Sequence, residues 1–298
     1  MLTRAQCAHF ETEGYLVLPG VLTAPTVRAL RARIRPLFDR PVGARFPGDA
    51  YGDDRYGNFR LYDIYNRYPD LRWLLFHAPV LSALQDLLGP DCLELPECSV
   101  ALNSFGTNPF GGWHKDTTTL ESTGSMIHYA DDFLMIGVAY YLQDNSAEYG
   151  GGLDVQPGTH RQRGDWYLGS PPPPSLLERA WRKGWRLLGR PLPSRDPRRA
   201  RAVTLPLKAG DALLFNSRLN HRATMPRALP VPPDHDKLAI FDAFIRRGPH
   251  VRAYLDFIHG PAGWGYLPHI TLGSELAQAA RSAGVGLALE GYATRREP

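Results

Sequence analysis

The segment Gly-Gly-Trp-His-Lys-Asp at residues 111–116 places a histidine and an aspartate two positions apart. On an extended strand, alternate side chains point to the same face, so His114 and Asp116 can reach one ion. A second histidine, His221, comes far along the chain, just past the apolar run Ala212–Phe215. A fold that brings these two motifs together would place two imidazoles beside one carboxylate.

Two imidazoles and one carboxylate form a facial triad. Such a triad binds Fe(II) on one side and leaves positions open for a co-substrate and dioxygen. Simpler roles are also available to these residues. His114 can be a loop histidine beside Asp116, and His221 can cap a turn or fill the core. The sequence around both motifs has to decide between the metal site and these roles.

After residue 90, short apolar or alternating runs follow one another, separated by Gly, Pro, Asn and Asp. Short strands at this spacing are typical of a β-sandwich or a jelly roll. We therefore predict a mainly β core with flanking helices. The predicted strands are Cys98–Leu102, Phe133–Leu142, Gly152–Val155, Ala202–Leu207, Ala212–Phe215 and Lys237–Ile245.

Helix signals lie at the two ends of the chain. Thr3 and Thr23 are placed to cap two N-terminal helices, and Gly14 is placed to end the first of them. Further helices are predicted at Pro79–Leu88, which Gly89 closes, and near Ser274–Ala283. We predict one domain over residues 1–298. It has a helical part at about 1–90, a β core at about 91–250 with an insertion at about 163–200, and a C-terminal segment at 251–298.

Composition excludes several classes of protein. The chain has 298 residues, 43% of them hydrophobic, which is enough for one sizeable core. Three cysteines without a Cys-x-x-Cys pair exclude a disulfide scaffold and a cysteine zinc finger. The longest apolar run, Phe133–Leu142, is about half of a membrane span, and no signal peptide is visible. The expectation is a soluble cytoplasmic protein that does not bind membranes.

Positive charge is concentrated in one Pro-rich stretch. Residues 161–201 hold eleven Lys or Arg and three Asp or Glu, a balance of +8, so the rest of the chain sums to −4 against the net charge of +4. This distribution argues against nucleic acid as a partner. The stretch is either a solvated insertion or a surface for an anionic partner.

Four segments in order resemble the phytanoyl-CoA dioxygenase family of Fe(II)/2-oxoglutarate oxygenases. The resemblance covers about residues 3–35 and 80–250, and it implies a double-stranded β-helix, a cupin-like variant of the jelly roll. It also implies that His114, Asp116 and His221 hold Fe(II), with 2-oxoglutarate and O2 as co-substrates. The four segments are Ala5–Ile34, Trp113–Asp116, Ile136–His160 and Ala209–His221.

The co-substrate anchor is where the sequence departs from the family. Relatives usually place an arginine on the strand after the distal histidine, where a bidentate cation suits the far carboxylate. Here the first residue of that strand is Lys237. We predict Lys237 as the anchor, with Arg227 second and Arg222 a weaker third. Asn103 is either a 2-oxoglutarate contact or a turn residue.

The resemblance also suggests candidates for the substrate pocket, each with a structural alternative. Trp113 can contact substrate or simply pack beside the metal. Thr118 can line the pocket or solvate a loop, and Tyr140 can face the pocket, the core or solvent. His160 can lie near the site or cap a turn.

The predicted activity is hydroxylation, or another oxidation, of an unactivated C–H bond of a small molecule. Asp116 favours hydroxylation over halogenation, because halogenating relatives have Gly or Ala at that position. The local basic charge suggests an anionic or carrier-linked substrate, and the Arg, Ala and Pro content fits natural-product metabolism. The alternatives are a cupin-like metalloenzyme without 2-oxoglutarate and a non-catalytic binding protein. The oligomeric state is not predicted.

Overall fold

The computed structural model describes residues 1–39, 46, 49–51, 59–105, 112–117, 125, 127–162, 202–260, 270 and 272–292. Within these ranges the α-helices are α1 Arg4–Glu13, α2 Ala24–Ile34, α3 Ile64–Arg67, α4 Ala78–Leu88, α5 His250–Ile258 and α6 Ser274–Ser282. The 3₁₀ helices are Arg35–Asp39, Pro69–Leu74, Ile127–Tyr129 and Thr159–Arg161. The strands are β1 Tyr15–Leu18, β2 Ala50–Tyr51, β3 Phe59–Tyr62, β4 Leu93–Glu94, β5 Ser99–Leu102, β6 Met135–Tyr141, β7 Leu153–Gln156, β8 Val203–Thr204, β9 Ala212–Asn216, β10 Asn220–Ala223, β11 Leu238–Ile245 and β12 Gly286–Leu287.

These strands form two sheets. The larger sheet has the order β1-β9-β6-β11-β5-β3-β2, and β4 extends it by pairing with β11 and β12. The smaller sheet has the order β10-β7-β8. Every pairing is antiparallel except that of β12 with β4. This is the predicted mainly β core, and helices flank it.

Side-chain alternation divides the larger sheet into two faces. One face, with Val138 and Leu214, packs against helices α2 and α4 in the largest apolar cluster. The other face, with Ala139 and Phe215, packs against Val155 of the smaller sheet. We call the space between the two sheets the barrel interior. A residue's place in a strand therefore determines whether its side chain reaches this space.

The N-terminal elements form as their local sequence predicts. Thr3 caps α1 with a capping box, and Gly14 ends the helix with a φ of 85°. Thr23 caps α2, whose residues Val27 and Ile34 are buried at helical spacing. Helix α1 leads directly into β1, an edge strand of the larger sheet that pairs with β9.

Three elements of the site region were not predicted. Strand β3 occupies residues for which the sequence predicted no strand, and α5 covers the end of the interior beyond β11. His221 comes just past β9, as predicted, and itself belongs to β10, which was not predicted. The insertion at 163–200 lies outside the described residues. The described part of the chain contains no helix long and apolar enough to cross a membrane.

Substitution of Gly137 in β6 tests how closely the larger sheet packs against the site. A Cβ at this position would lie 2.5 Å from the ring of Phe215, and that ring lies 4.9 Å from the imidazole of His221. Gly137→Ala is expected to displace the Phe215 ring and to lower stability by about 1–3 kcal/mol. Thermal and denaturant unfolding measure this loss.

Gly20→Ala is the matched control for Gly137→Ala. Gly20 has a φ of +60° and no neighbour within 4 Å of its added Cβ, so only backbone strain of about 1 kcal/mol is expected. Metal affinity should fall in Gly137→Ala and stay unchanged in Gly20→Ala. A Gly137→Ala protein as stable as the wild type would contradict the close packing of Gly137 on Phe215.

Candidate metal centre

Backbone pairing brings the two predicted histidines together. His114 and His221 form an isolated antiparallel bridge, in which each amide donates to the other residue's carbonyl at 2.9 Å. The amide of Asp116 donates to the carbonyl of Ser217 at 3.0 Å and holds the carboxylate on the same side. The segment 112–117 thus lies along β10, and its alternation points His114 and Asp116 toward His221.

The ring nitrogens are oriented for metal binding. His114 donates from Nδ1 to the carbonyl of Gly112 at 2.6 Å, and His221 donates from Nδ1 to the carbonyl of Leu219 at 2.9 Å. Because carbonyls only accept, both rings carry their proton on Nδ1 and present a bare Nε2. These Nε2 atoms lie 3.7 and 3.6 Å from Oδ1 of Asp116.

One ligand atom from each member of the triad lies within 4.8 Å of the other two. Burial, with a smaller contribution from the neighbouring His114, lowers the pKa of His221 to about 4, so His221 is neutral near pH 7. A neutral imidazole is the form that binds a metal. The side chains of His114 and Asp116 are 43% and 31% exposed, so the triad is open on one side. Two imidazoles, one carboxylate and an open side fit Fe(II).

The predicted anchor Lys237 lies inside the fold. It is 2% exposed, and its Nζ donates to the carbonyl of Ser104 at 2.9 Å. Alternation along β11 puts it on the same face as Ala239, toward the barrel interior. Burial, with a smaller contribution from the nearby positive charge of Arg60, lowers the pKa of Lys237 to about 7. Lys237 is therefore a buried ammonium group that loses its proton easily.

Arg60 is a second cation of this region, and it was not among the predicted 2-oxoglutarate anchors. It lies on β3, its guanidinium is 5.3 Å from the centre of the Phe241 ring, and it reaches Ser104 Oγ at 3.4 Å. Residues 59–62 read Phe-Arg-Leu-Tyr. This alternation could have shown that Arg60 and Tyr62 share one face, had β3 been recognised as a strand.

Two further residues that were predicted near 2-oxoglutarate, Asn103 and Arg227, have different environments. Asn103 accepts from the backbone amide of Lys237 at 3.0 Å and donates to Asp236 at 2.7 Å, so its amide fixes the start of β11. Arg227 is exposed, and its backbone amide donates to the carbonyl of Glu148 at 2.7 Å.

The pocket candidates mostly face away from the triad. Trp113 lies under the guanidinium of Arg222 at 4.9 Å, on the opposite face of the strand from His114. Tyr140 faces the helices and donates to the carbonyl of Leu74 at 3.0 Å. These two residues therefore pack as structural side chains, which corrects their assignment to the pocket.

The same correction applies to His160, whose Nε2 bonds to the carbonyl of Glu11 at 3.1 Å. The ring fills the space beside Gly14, where a Cβ would lie 2.4 Å from it. His160 therefore stabilises the end of α1 and does not reach the metal ligands. Thr118 lies outside the described residues.

The family model of phytanoyl-CoA dioxygenase (PhyH) matches residues 10–227, and the chain belongs to this family. The chain is similar to the 2-oxoglutarate complex of EvdO2 from Micromonospora carbonacea var. aurantiaca, with 20% identity over 84% of this chain and 96% of that one, and a TM-score of 0.52. It is also similar to SnoK, a non-heme alpha ketoglutarate dependent carbocyclase from nogalamycin biosynthesis. The two sequences are 19% identical, the match covers 92% of this chain and 95% of SnoK, and the TM-score is 0.56. A third similar structure is EctD from S. alaskensis with bound Fe. The sequences are 19% identical, the match covers 82% of this chain and 76% of EctD, and the TM-score is 0.55.

No curated protein matches the sequence. The family match confirms the predicted family, and the structural likenesses confirm the double-stranded β-helix fold. The predicted cofactors Fe(II), 2-oxoglutarate and O2 agree with this family and with the His-Asp-His triad.

Removal of the carboxylate ligand tests the triad. Asp116→Ala is expected to weaken Fe(II) binding by more than about 100-fold, because losing a metal ligand reduces metal affinity more than losing an outer residue that only orients a ligand. Anaerobic calorimetric titration with Fe(II) measures the affinity, and circular dichroism checks the fold. Asp144→Ala is the control, since Asp144 is 55% exposed and pairs with Lys208 at the surface. Equal Fe(II) affinity in the two variants would remove Asp116 from the ligand set.

Proposed function

We propose that this protein is an Fe(II)/2-oxoglutarate-dependent dioxygenase that hydroxylates an unactivated C–H bond of a small molecule. The observation that carries the proposal is the set of two bare Nε2 atoms directed at Asp116 on the open side of a phytanoyl-CoA dioxygenase fold. When bound there, Fe(II) with 2-oxoglutarate and O2 supplies the oxidant that removes hydrogen from carbon.

Lys237 is the residue that we propose for the far carboxylate of 2-oxoglutarate. Its ammonium is buried on the interior face, and Arg60 adds a second positive charge beside Ser104. A buried cation without a counter-ion is unfavourable, and a carboxylate bound there would relieve this cost. A lysine contact is a point charge, so the second cation Arg60 would restore part of the orientation that a bidentate arginine gives.

The chain's own contribution beyond ligand binding is to keep the site dry and aligned. Phe215 packs on His221 and Phe241 lies under Arg60, so apolar rings surround the polar groups. Charge interactions are stronger where water is excluded. These rings therefore support both the metal ligands and the carboxylate anchor.

Hydroxylation is proposed from Asp116, which occupies the position that halogenating relatives leave open. The fold also supports other outcomes, because SnoK is a carbocyclase and SnoN is an epimerase from nogalamycin biosynthesis. These relatives support a substrate from natural-product metabolism. The anionic or carrier-linked substrate suggested by the basic stretch depends on residues outside the described ranges.

Anaerobic titration of the apo-protein with Fe(II) and then 2-oxoglutarate tests the proposed function. Chelation of the metal by 2-oxoglutarate is expected to give a weak metal-to-ligand charge-transfer band in the visible. Under air, the complex should then convert 2-oxoglutarate to succinate. Iron binding without the band would overturn the use of 2-oxoglutarate and favour a cupin-like metalloenzyme. No iron binding would favour a non-catalytic member of the fold.

The affinity for 2-oxoglutarate is expected to depend on pH through Lys237. The protonated amine binds the carboxylate, and its pKa without ligand is about 7. The carboxylate raises this pKa on binding, so affinity is full below pH 7. Above pH 7 it falls about tenfold per pH unit, because the amine must take up a proton. Titrations of the charge-transfer band between pH 6 and 9 measure this slope.

Lys237→Arg should flatten this pH profile, because an arginine stays protonated throughout the range. Lys237→Ala should lower the affinity for 2-oxoglutarate at every pH. Arg227→Ala should bind 2-oxoglutarate with the same affinity as the wild type. The reverse ranking of these two variants would move the anchor to Arg227.

A further inference from the structure

The start of β11, next to Lys237, is fixed by the side chain of Asn103. The amide of Lys237 donates to Asn103 Oδ1 at 3.0 Å, although the two residues are 134 positions apart in sequence. The amide of Asn103 donates back to the carbonyl of Lys237 at 2.8 Å, and Asn103 Nδ2 donates to Oδ1 of Asp236 at 2.7 Å. One amide side chain therefore holds two successive residues, and we call Asn103 and Asp236 the β11 clamp.

Asn103 also places the residue that binds the other end of Lys237. Its φ is 50°, in the left-handed region that asparagine enters more readily than most residues. The chain turns here after β5 and continues into Ser104, whose carbonyl accepts from Nζ of Lys237 at 2.9 Å. The backbone and the ammonium of Lys237 are thus bound by two neighbouring residues, so its side chain is held at both ends.

The clamp is supported from the outer helical layer. Asp236 is 3% exposed, and its Oδ2 accepts from Nε of Arg35, just after α2, at 3.0 Å. The carbonyl of Asp236 accepts from Nη1 of Arg31 in α2 at 3.1 Å. Both carboxylate oxygens of Asp236 are therefore bonded, as a buried carboxylate requires. Because these bonds run from α2 to the start of β11, the helical layer supports the position of Lys237.

The charge of Asp236 is used within the clamp and not on the neighbouring lysine. Asp236 pairs with Arg35, and in the described part of the chain no carboxylate forms an ion pair with the ammonium of Lys237. A buried ammonium without such a partner is more favourable in any conformation that returns it to water. Its position therefore depends on the groups that hold the lysine, and its charge stays available for the carboxylate of a ligand.

We propose that Asn103 and Asp236 are positioning residues, which hold Lys237 ready for the far carboxylate of 2-oxoglutarate. This rests on the proposed function, because that function assigns the carboxylate to Lys237. Both polar atoms of the Asn103 amide are already bonded within the protein, so Asn103 acts through Lys237 and not on the co-substrate. A lysine that is already ordered loses little side-chain freedom when the carboxylate binds, and this raises the affinity.

Asn103→Gly tests the clamp, because glycine keeps the positive φ without strain and removes the amide side chain. Titration of the charge-transfer band at pH 6, where Lys237 is protonated, should show about tenfold weaker binding of 2-oxoglutarate. The affinity for Fe(II) should stay as in the wild type. A 2-oxoglutarate affinity equal to that of the wild type would overturn the proposal.

Two arginines of the helical layer give a matched pair of variants. Arg35→Ala removes the cation that supports Asp236 and should also weaken 2-oxoglutarate binding. Arg33→Ala is the control, since Arg33 pairs at 2.6 Å with Asp70 at the surface. Both arginine side chains are 40% exposed, so this pair still tests the clamp if Asn103→Gly fails to fold. Equal losses in the two variants would show a general effect of α2 and contradict the clamp.

A double-mutant cycle with Lys237→Ala shows whether Asn103 acts through the lysine. If it does, Asn103→Gly should cause no further loss of 2-oxoglutarate affinity in the Lys237→Ala protein. Losses that add would overturn the positioning role. Asn103→Asp should also weaken binding, because it brings two carboxylates together. Combining it with Asp236→Asn restores one donor between two acceptors and should recover the affinity.

The same titrations separate this inference from the proposed function. A wild type without the charge-transfer band counts against the proposed function. A Lys237→Ala protein that binds 2-oxoglutarate like the wild type counts against the proposed anchor. A band whose titration depends on Lys237 but not on Asn103 or Arg35 counts against the clamp alone.

Discussion

The backbone bridge between His114 and His221 is the interaction on which the site depends. Its two hydrogen bonds of 2.9 Å place both imidazoles on one side of the smaller sheet. Within the described residues, the segment 112–117 forms no strand of its own, and the bridge and the Asp116–Ser217 bond hold it to its neighbours. A metal bound to three side chains across this bridge would tie the same segments together, so metal affinity and the pairing of these segments stabilise each other.

The buried charges of the interior depend on one another in the same way. The positive charge of Lys237 is one of the groups that lower the pKa of His221. The residue proposed to hold the co-substrate therefore also helps to keep the distal metal ligand deprotonated. In a low-dielectric interior such an effect extends beyond direct contact. Substitution of Lys237 by a neutral residue would thus act on both the co-substrate and the ligand.

Much of the fold could be predicted from local sequence signals. Thr3 and Thr23 cap helices whose start signals lie within a few residues, and the runs of β6 and β11 are long enough to be recognised. Strand β3 was missed because its four residues follow a stretch rich in Gly, Asp and Arg. The sequence could not decide whether Tyr140 faces the pocket or the core, because the alternation of β6 fixes which residues share a face, but not which face turns inward.

The same distinction between local and long-range signals applies to the candidate site. The sequence could suggest the triad because each of its two motifs is local: His114 and Asp116 are two positions apart, and His221 follows closely after the apolar run of β9. The contact of Asn103 with Lys237 joins positions 134 residues apart and leaves no local pattern.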